Sequence, residues 1–236
     1  MTDERVTDQV VVAGPQAESY LQGQLSQDIA ALKSGDTATA LLLEPTGKMG
    51  FWLQVERTAD DTFVLAVDAG QGEAVLERLN RFKLRTKVMF ELQPGSGSRD
   101  ELERILAGRP RHGTEIVAGE TIPAELGQQL IDGSVSFTKG CYTGQELVAR
   151  IDARGGHVPR HLRRLTFAAT GPDALPEPGT ELLVDSKVVG RLTSVAWSSD
   201  DQQAVALGFV GRAVDVPGRV ELAGFGPAEV SAVREG

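Results

Sequence analysis

From Leu162 onward the sequence is β in character almost without interruption. Residues 165–168, 181–184, 188–196, 204–210, 219–222 and 228–233 form short apolar runs punctuated by Gly, Pro and Asp. Short strands separated by turn residues at such close intervals predict a small antiparallel β-barrel. A barrel at one end constrains the rest, because the remaining chain must find its own core.

The first ninety residues alternate between two periodicities. Residues 10–13 are a short apolar run broken by Gly14-Pro15, and Pro15 is suited to open a helix. Ala17, Tyr20, Leu21 and Leu25 then recur at helical spacing. Residues 38–43 and 51–55 flank Glu44-Pro45-Thr46-Gly47-Lys48, with proline early and glycine late, which predicts a hairpin. A strand at 62–67, a helix at 71–82 presenting Val75, Leu79 and Phe82, and a strand at 88–92 complete the pattern. The sum is β-α-β-β-β-α-β, an α+β layer of helices on a sheet. Pro94-Gly95-Ser96-Gly97-Ser98 has linker composition, and a short helix over 99–107 follows. From 108 to 156 glycine is frequent and apolar periodicity poor, which predicts loops. Three parts are expected: residues 1–93, 94–161 and 162–236.

Several function classes are excluded or disfavoured early. The single cysteine, Cys141, can form no internal disulfide and no Cys-rich zinc site. No segment has the roughly 18 apolar residues of a membrane helix. The start, MTDERVTDQ, is acidic and polar with no secretory signal, so a cytoplasmic protein is expected. A net charge of −9 argues against broad wrapping of nucleic acid, though not against a local basic patch.

Chemistry concentrates in Lys139-Gly140-Cys141-Tyr142-Thr143-Gly144-Gln145-Glu146. Two glycines permit tight backbone geometry around the cysteine. A neighbouring lysine favours the thiolate, the form that attacks electrophiles or binds soft metals. The competing reading is a small apolar cysteine filling a gap. Pro45-Thr46-Gly47-Lys48 lacks the earlier glycine and following hydroxyl of a phosphate-binding loop, and Gly70-Gln71-Gly72 lacks the third glycine of a dinucleotide fingerprint. A thiol-hydrolase pair of Cys141 with His157 or His161 needs a spatial adjacency that spacing does not show.

The octapeptide resembles the K-G-C-[Y/F]-x-G-Q-E signature of the YgfZ-type folate-binding proteins, relatives of the glycine cleavage system aminomethyltransferase. The resemblance continues through Ala149-Arg150 and Arg154-Gly155. Upstream it takes in Tyr20-Leu21-Gln22-Gly23-Gln24-Leu25-Ser26-Gln27-Asp28, Arg104-Ile105-Leu106-Ala107-Gly108-Arg109-Pro110 and Ile122-Pro123-Ala124-Glu125. Near the C-terminus it includes Gly190-Arg191-Leu192-Thr193-Ser194. It implies an aminomethyltransferase-like α+β fold with ring-like domains around a central cavity, ending in a C-terminal antiparallel barrel. The dozen residues between Leu92 and Arg104 imply a trimmed middle lobe.

The resemblance further implies tetrahydrofolate or a derivative as ligand, with no stably bound metal. Asp28 and Glu125 are then candidate acceptors for the pterin N–H donors. Arg150 is a candidate partner for the anionic tail. Cys141 becomes a reactive thiol or transient metal ligand beside Lys139. Gly140, Tyr142 and Gly144 belong to its loop, while Gln145 and Glu146 orient groups or meet a partner. The function implied is an accessory factor for assembly or repair of iron–sulfur enzymes, affecting tRNA modification through such clients. The alternative is a folate-dependent aminomethyltransferase, against which Leu106 stands where transferase relatives carry glutamate. One cysteine supplies at most one cluster ligand, since such clusters take four. Two basic stretches, Arg78 to Lys87 and Arg150 to Arg164, are candidates for a local anion or RNA contact.

Overall fold

A computed structural model describes residues 6–233. The acidic start at residues 1–5 lies outside the described residues. The chain divides into two compact units, each discontinuous in sequence. The first comprises Met1–Ser98, Ile116–Pro123 and Gln129–Gly155; the second comprises Arg99–Glu115, Ala124–Gln128 and Gly156–Gly236.

The first unit contains β1 (Thr7–Ala13), α1 (Ala17–Gln24), β2 (Thr37–Leu43), β3 (Met49–Ala59), β4 (Thr62–Asp68), α2 (Gly72–Arg81) and β5 (Met89–Gln93). The strands form an antiparallel sheet in the order β2-β3-β4-β1-β5. Alternation decides which face is buried. Val10 and Val12 of β1, Leu53 and Val55 of β3, and Phe63 and Leu65 of β4 join Leu21 of α1 and Leu79 of α2 in one core. Asp8 lies at the same end as the start of α2. Its Oδ2 accepts from the backbone N–H of Gly70 at 2.8 Å and of Gly72 at 2.7 Å, placing an anion at the helix's positive end.

In the second unit, α3 (Glu101–Leu106) is followed by β6 (Arg160–Phe167), β7 (Glu181–Val184), β8 (Lys187–Ser198), β9 (Gln203–Gly211), β10 (Gly218–Leu222) and β11 (Gly226–Ala232). These strands close into an antiparallel barrel ordered β10-β11-β6-β9-β8-β7. Its interior is filled by Leu165, Leu182, Leu192, Ala206, Val220 and Val230. Helix α3 carries a buried ion pair: Arg104 Nη1 lies 3.2 Å from Glu115 Oε2, and Ser194 Oγ donates to Glu115 Oε1 at 2.6 Å.

Within 108–156 the structure differs from the expected loops. It contains a 3-10 turn (Pro123–Leu126), α4 (Gln128–Ser134) and α5 (Gln145–Asp152). Each is about two turns or shorter, too short for a 3.6-residue period to emerge. Gly127 and Gly144, both at positive φ, mark helix starts where the sequence suggested only loop.

Candidate functional site

The octapeptide forms the loop leading into α5, and the first unit holds it from three directions. The C-terminal turn of α1 leaves carbonyls that the helix cannot satisfy. Lys139 Nζ reaches this turn and the chain just after it, donating to the carbonyl oxygens of Gln22 and Leu25 at 2.6 Å, and of Gln27 at 2.8 Å. A cation at a helix C-terminus also complements the helix dipole. Burial pushes the lysine pKa down to about 8, against an opposing pull from the Asp28 carboxylate.

The second hold is at Tyr142 and Thr143. Tyr142 is buried, its phenol pushed up to about 12 by that burial, and its ring lies 5.2 Å from Lys139 Nζ. The Thr143 N–H donates to Gly23 O at 3.0 Å. Gln145 turns back to accept from the Tyr142 N–H through Oε1 at 3.2 Å. The third hold is the β2–β3 hairpin. Gly144, with φ of 84°, sits so close that a Cβ there would lie 2.5 Å from Glu44 O. Gly47 of that hairpin is equally close to Gly144 O, 2.7 Å from where a Cβ would stand.

These holds decide how the cysteine is presented. Lys139 and Tyr142 are fixed inward on either side, and Cys141 is free and exposed. An apolar gap-filler is therefore the wrong description: unreacted cysteines that serve packing are buried. Lys139 stands in a different relation to Cys141 from the one expected, since its three donors are directed at backbone carbonyls. Gly140 is exposed, and a Cβ there would meet nothing within 4 Å. Of the two motif glycines, close packing requires only Gly144.

Asp28 lies in the turn after α1 that receives Lys139. It is partly buried and accepts from Gln22 Nε2 at 2.9 Å. An ionised carboxylate has about four acceptor sites, so Asp28 retains capacity for pterin-like N–H donors. Arg150, in the last turn of α5, is exposed and makes no ion pair among the described residues; Glu146, one turn earlier, is exposed too. Asp28 and Arg150 thus both keep hydrogen-bonding capacity that no contact among the described residues uses. Glu125 does not fit as an open acceptor. It is buried in the second unit, and Arg160 engages both its oxygens, Nε to Oε1 at 3.2 Å and Nη2 to Oε2 at 3.3 Å.

Arg78 is buried, donates to Leu43 O at 2.6 Å and stacks over Phe82, so it belongs to the core and not to an anion-binding surface. Arg150 and Arg154 lie in the first unit, whereas Arg160, Arg163 and Arg164 lie in the second. Sequence reasoning missed the seat for the motif, namely Glu44 and Gly47. The turn was visible in Pro45 and Gly47, but its contact with a loop about a hundred residues away was not.

No protein-family model matches the chain. An uncharacterized protein of Haemophilus influenzae is 30% identical over 188 residues, covering 63% of this chain and 67% of that protein. The tRNA-modifying protein YgfZ of an Enterobacter species is 27% identical over 239 residues, with 72% of each chain covered. The chain belongs to the YgfZ-type family. A mitochondrial iron–sulfur cluster assembly factor IBA57 homolog of Neurospora crassa is 23% identical over 239 residues, covering 72% of this chain and 54% of that protein. The glycine cleavage system aminomethyltransferase T of Bartonella henselae matches the fold with a TM-score of 0.77 at 17% identity, over 97% of this chain and 84% of that one. The YgfZ-type chain thus has the aminomethyltransferase-like fold, closed barrel included. Among its described residues no helix is long and apolar enough to cross a membrane.

Proposed function

We propose that this protein binds a reduced folate and supports the assembly or repair of iron–sulfur enzymes in the cytoplasm, affecting tRNA modification through those clients. The observation that carries the reading is Cys141. It is the sole cysteine, exposed on a loop whose flanking side chains are fixed inward. A thiolate is a natural ligand for iron, and one cysteine provides one ligand while the client provides the rest. The cluster is cargo in this reading.

Asp28 would receive the N–H donors of the pterin, and Arg150 would meet the carboxylates of the glutamate tail through its planar fork. The folate would supply one-carbon chemistry when bound; the chain's part is to bind and orient it. The names of the YgfZ and IBA57 relatives, which speak of tRNA modification and iron–sulfur cluster assembly, support this reading.

The test compares wild type with Cys141→Ser in cells lacking the protein, reading the product of a cluster-dependent tRNA-thiolating enzyme. Loss of that product, with an unchanged melting temperature for the purified variant, is expected. Equal restoration by both would overturn the role of the thiol.

A further inference from the structure

Leu84 is 85% exposed and Met89 is 70% exposed, the two most exposed large apolar side chains among the described residues. Neither serves the core or the cysteine loop. They lie on the segment joining α2 to β5, together with Arg81, Lys83, Arg85 and Lys87, and no acid falls between residues 78 and 90. Arg81 faces Glu77 at 3.5 Å, while Lys83, Arg85 and Lys87 make no ion pair among the described residues. In a chain of net charge −9, this is a concentrated positive patch with two apolar side chains set in it.

The tip is held in place by the chain around it. The Thr86 N–H donates to Lys83 O at 2.9 Å, closing a turn with Leu84 and Arg85 at its centre. Arg85 has a φ of 58°, where glycine or asparagine is the easy choice, at a cost of order 1 kcal/mol. The Lys87 N–H donates to Gln16 Oε1 at 2.7 Å, and Val88 is buried. Local economy would place glycine at 85 and a polar residue at 84. Positions where local rules fail in this way are where function is expected.

The adjoining strand supplies the remaining element. β5 ends the sheet order, so its outer edge pairs with no other strand among the described residues. Such an edge accepts an added extended strand, with main-chain bonds giving affinity and alternate side chains giving specificity.

We infer that this surface docks an extended acidic peptide segment of a partner protein, laid along β5. Its apolar side chains would pack on Leu84 and Met89, and its carboxylates would face Lys83, Arg85 and Lys87. Nucleic acid fits less well. A phosphate backbone gives the two aliphatic side chains nothing to pack against. The nearby rings of Phe82 and Phe90 are already faced by Arg78 at 4.0 Å and Lys83 at 5.2 Å, leaving no open platform for bases. The inference stands on the surface of the first unit and is independent of folate or cluster chemistry.

A selection from a random dodecapeptide library on the full chain tests it, with a random RNA pool and anionic lipid vesicles run in parallel. Peptides alternating Asp or Glu with aliphatic residues are expected to emerge. A synthesised winner should bind more weakly as salt rises. Its affinity should fall at least about tenfold with Leu84→Asp, which alters no buried contact. Arg85→Gly, which relieves the backbone, should preserve or raise the melting temperature while weakening binding. Selection of peptides without acidic enrichment, or binding that survives both substitutions, overturns the inference. So does retention of the RNA or the vesicles, lost on Leu84→Asp, without selection of acidic peptides.

Discussion

The Lys139 ammonium is bonded to the carbonyl of Leu25 at 2.6 Å across 114 residues of chain. The contact joins the end of α1 to the cysteine loop, and two further carbonyls share the same nitrogen. Lys139→Met removes three donors at once and leaves partly buried carbonyls unmatched. A loss of about 1–3 kcal/mol is expected, measured by urea unfolding.

The same lysine predicts a pH dependence. Its folded pKa of about 8 lies below the unfolded value of 10.5. Between those pH values the unfolded chain binds more protons, so stability contributed by this group rises with pH through that window. Wild type should therefore gain stability relative to Lys139→Met between about pH 8 and 10.5. Paired unfolding curves at the two ends measure it, and a constant difference would contradict the shifted titration.

Gly144→Ala should be costly and Gly140→Ala should not. At Gly144 the backbone is left-handed and a Cβ would press on Glu44 O at 2.5 Å, whereas at Gly140 it meets open space. The left-handed conformation alone costs a non-glycine residue roughly 1–2 kcal/mol. For Gly140→Ala a change within about 0.5 kcal/mol is expected. Thermal unfolding of both variants decides the matter.

Asp28→Asn tests the folate reading apart from the thiol. It keeps the size of the side chain and one acceptor oxygen but removes the charge. Equilibrium titration with tetrahydrofolate should show at least about tenfold weaker binding, equivalent to about 1.4 kcal/mol. Cys141→Ser should leave that affinity unchanged.

The buried pair in the second unit predicts a large effect. Glu115 has a fully buried side chain and is held by Arg104 and Ser194. Arg104→Met would take the guanidinium counter-charge from a carboxylate that stays buried, and removing one partner of such a pair typically costs about 3–5 kcal/mol. Global unfolding monitored by circular dichroism is the measurement.

Particular residues show why some features were legible in the sequence. The barrel was readable because Leu165, Ala206, Val220 and Val230 lie in short apolar runs bounded by turn residues, and such runs have one good burial mode. Helix α2 was readable for a similar reason: Val75 and Leu79 fall one turn apart on its buried face. Helices α4 and α5 were obscured because each is about two turns long and starts beside a glycine. Arg78 read as surface charge because a sequence window cannot see that its guanidinium reaches Leu43 O, 35 residues away.

By itself the sequence determined the α+β front, the β-barrel at the end and the singular setting of Cys141, since these follow from periodicity, turn chemistry and composition. Only the tertiary structure decided that Lys139 serves carbonyls at the end of α1 and just beyond it, that Gly144 has no room for a side chain because Glu44 occupies the space, and that Glu125 is taken by Arg160. Each of these is a contact between segments distant along the chain, and its energy depends on distance and burial that no local pattern encodes.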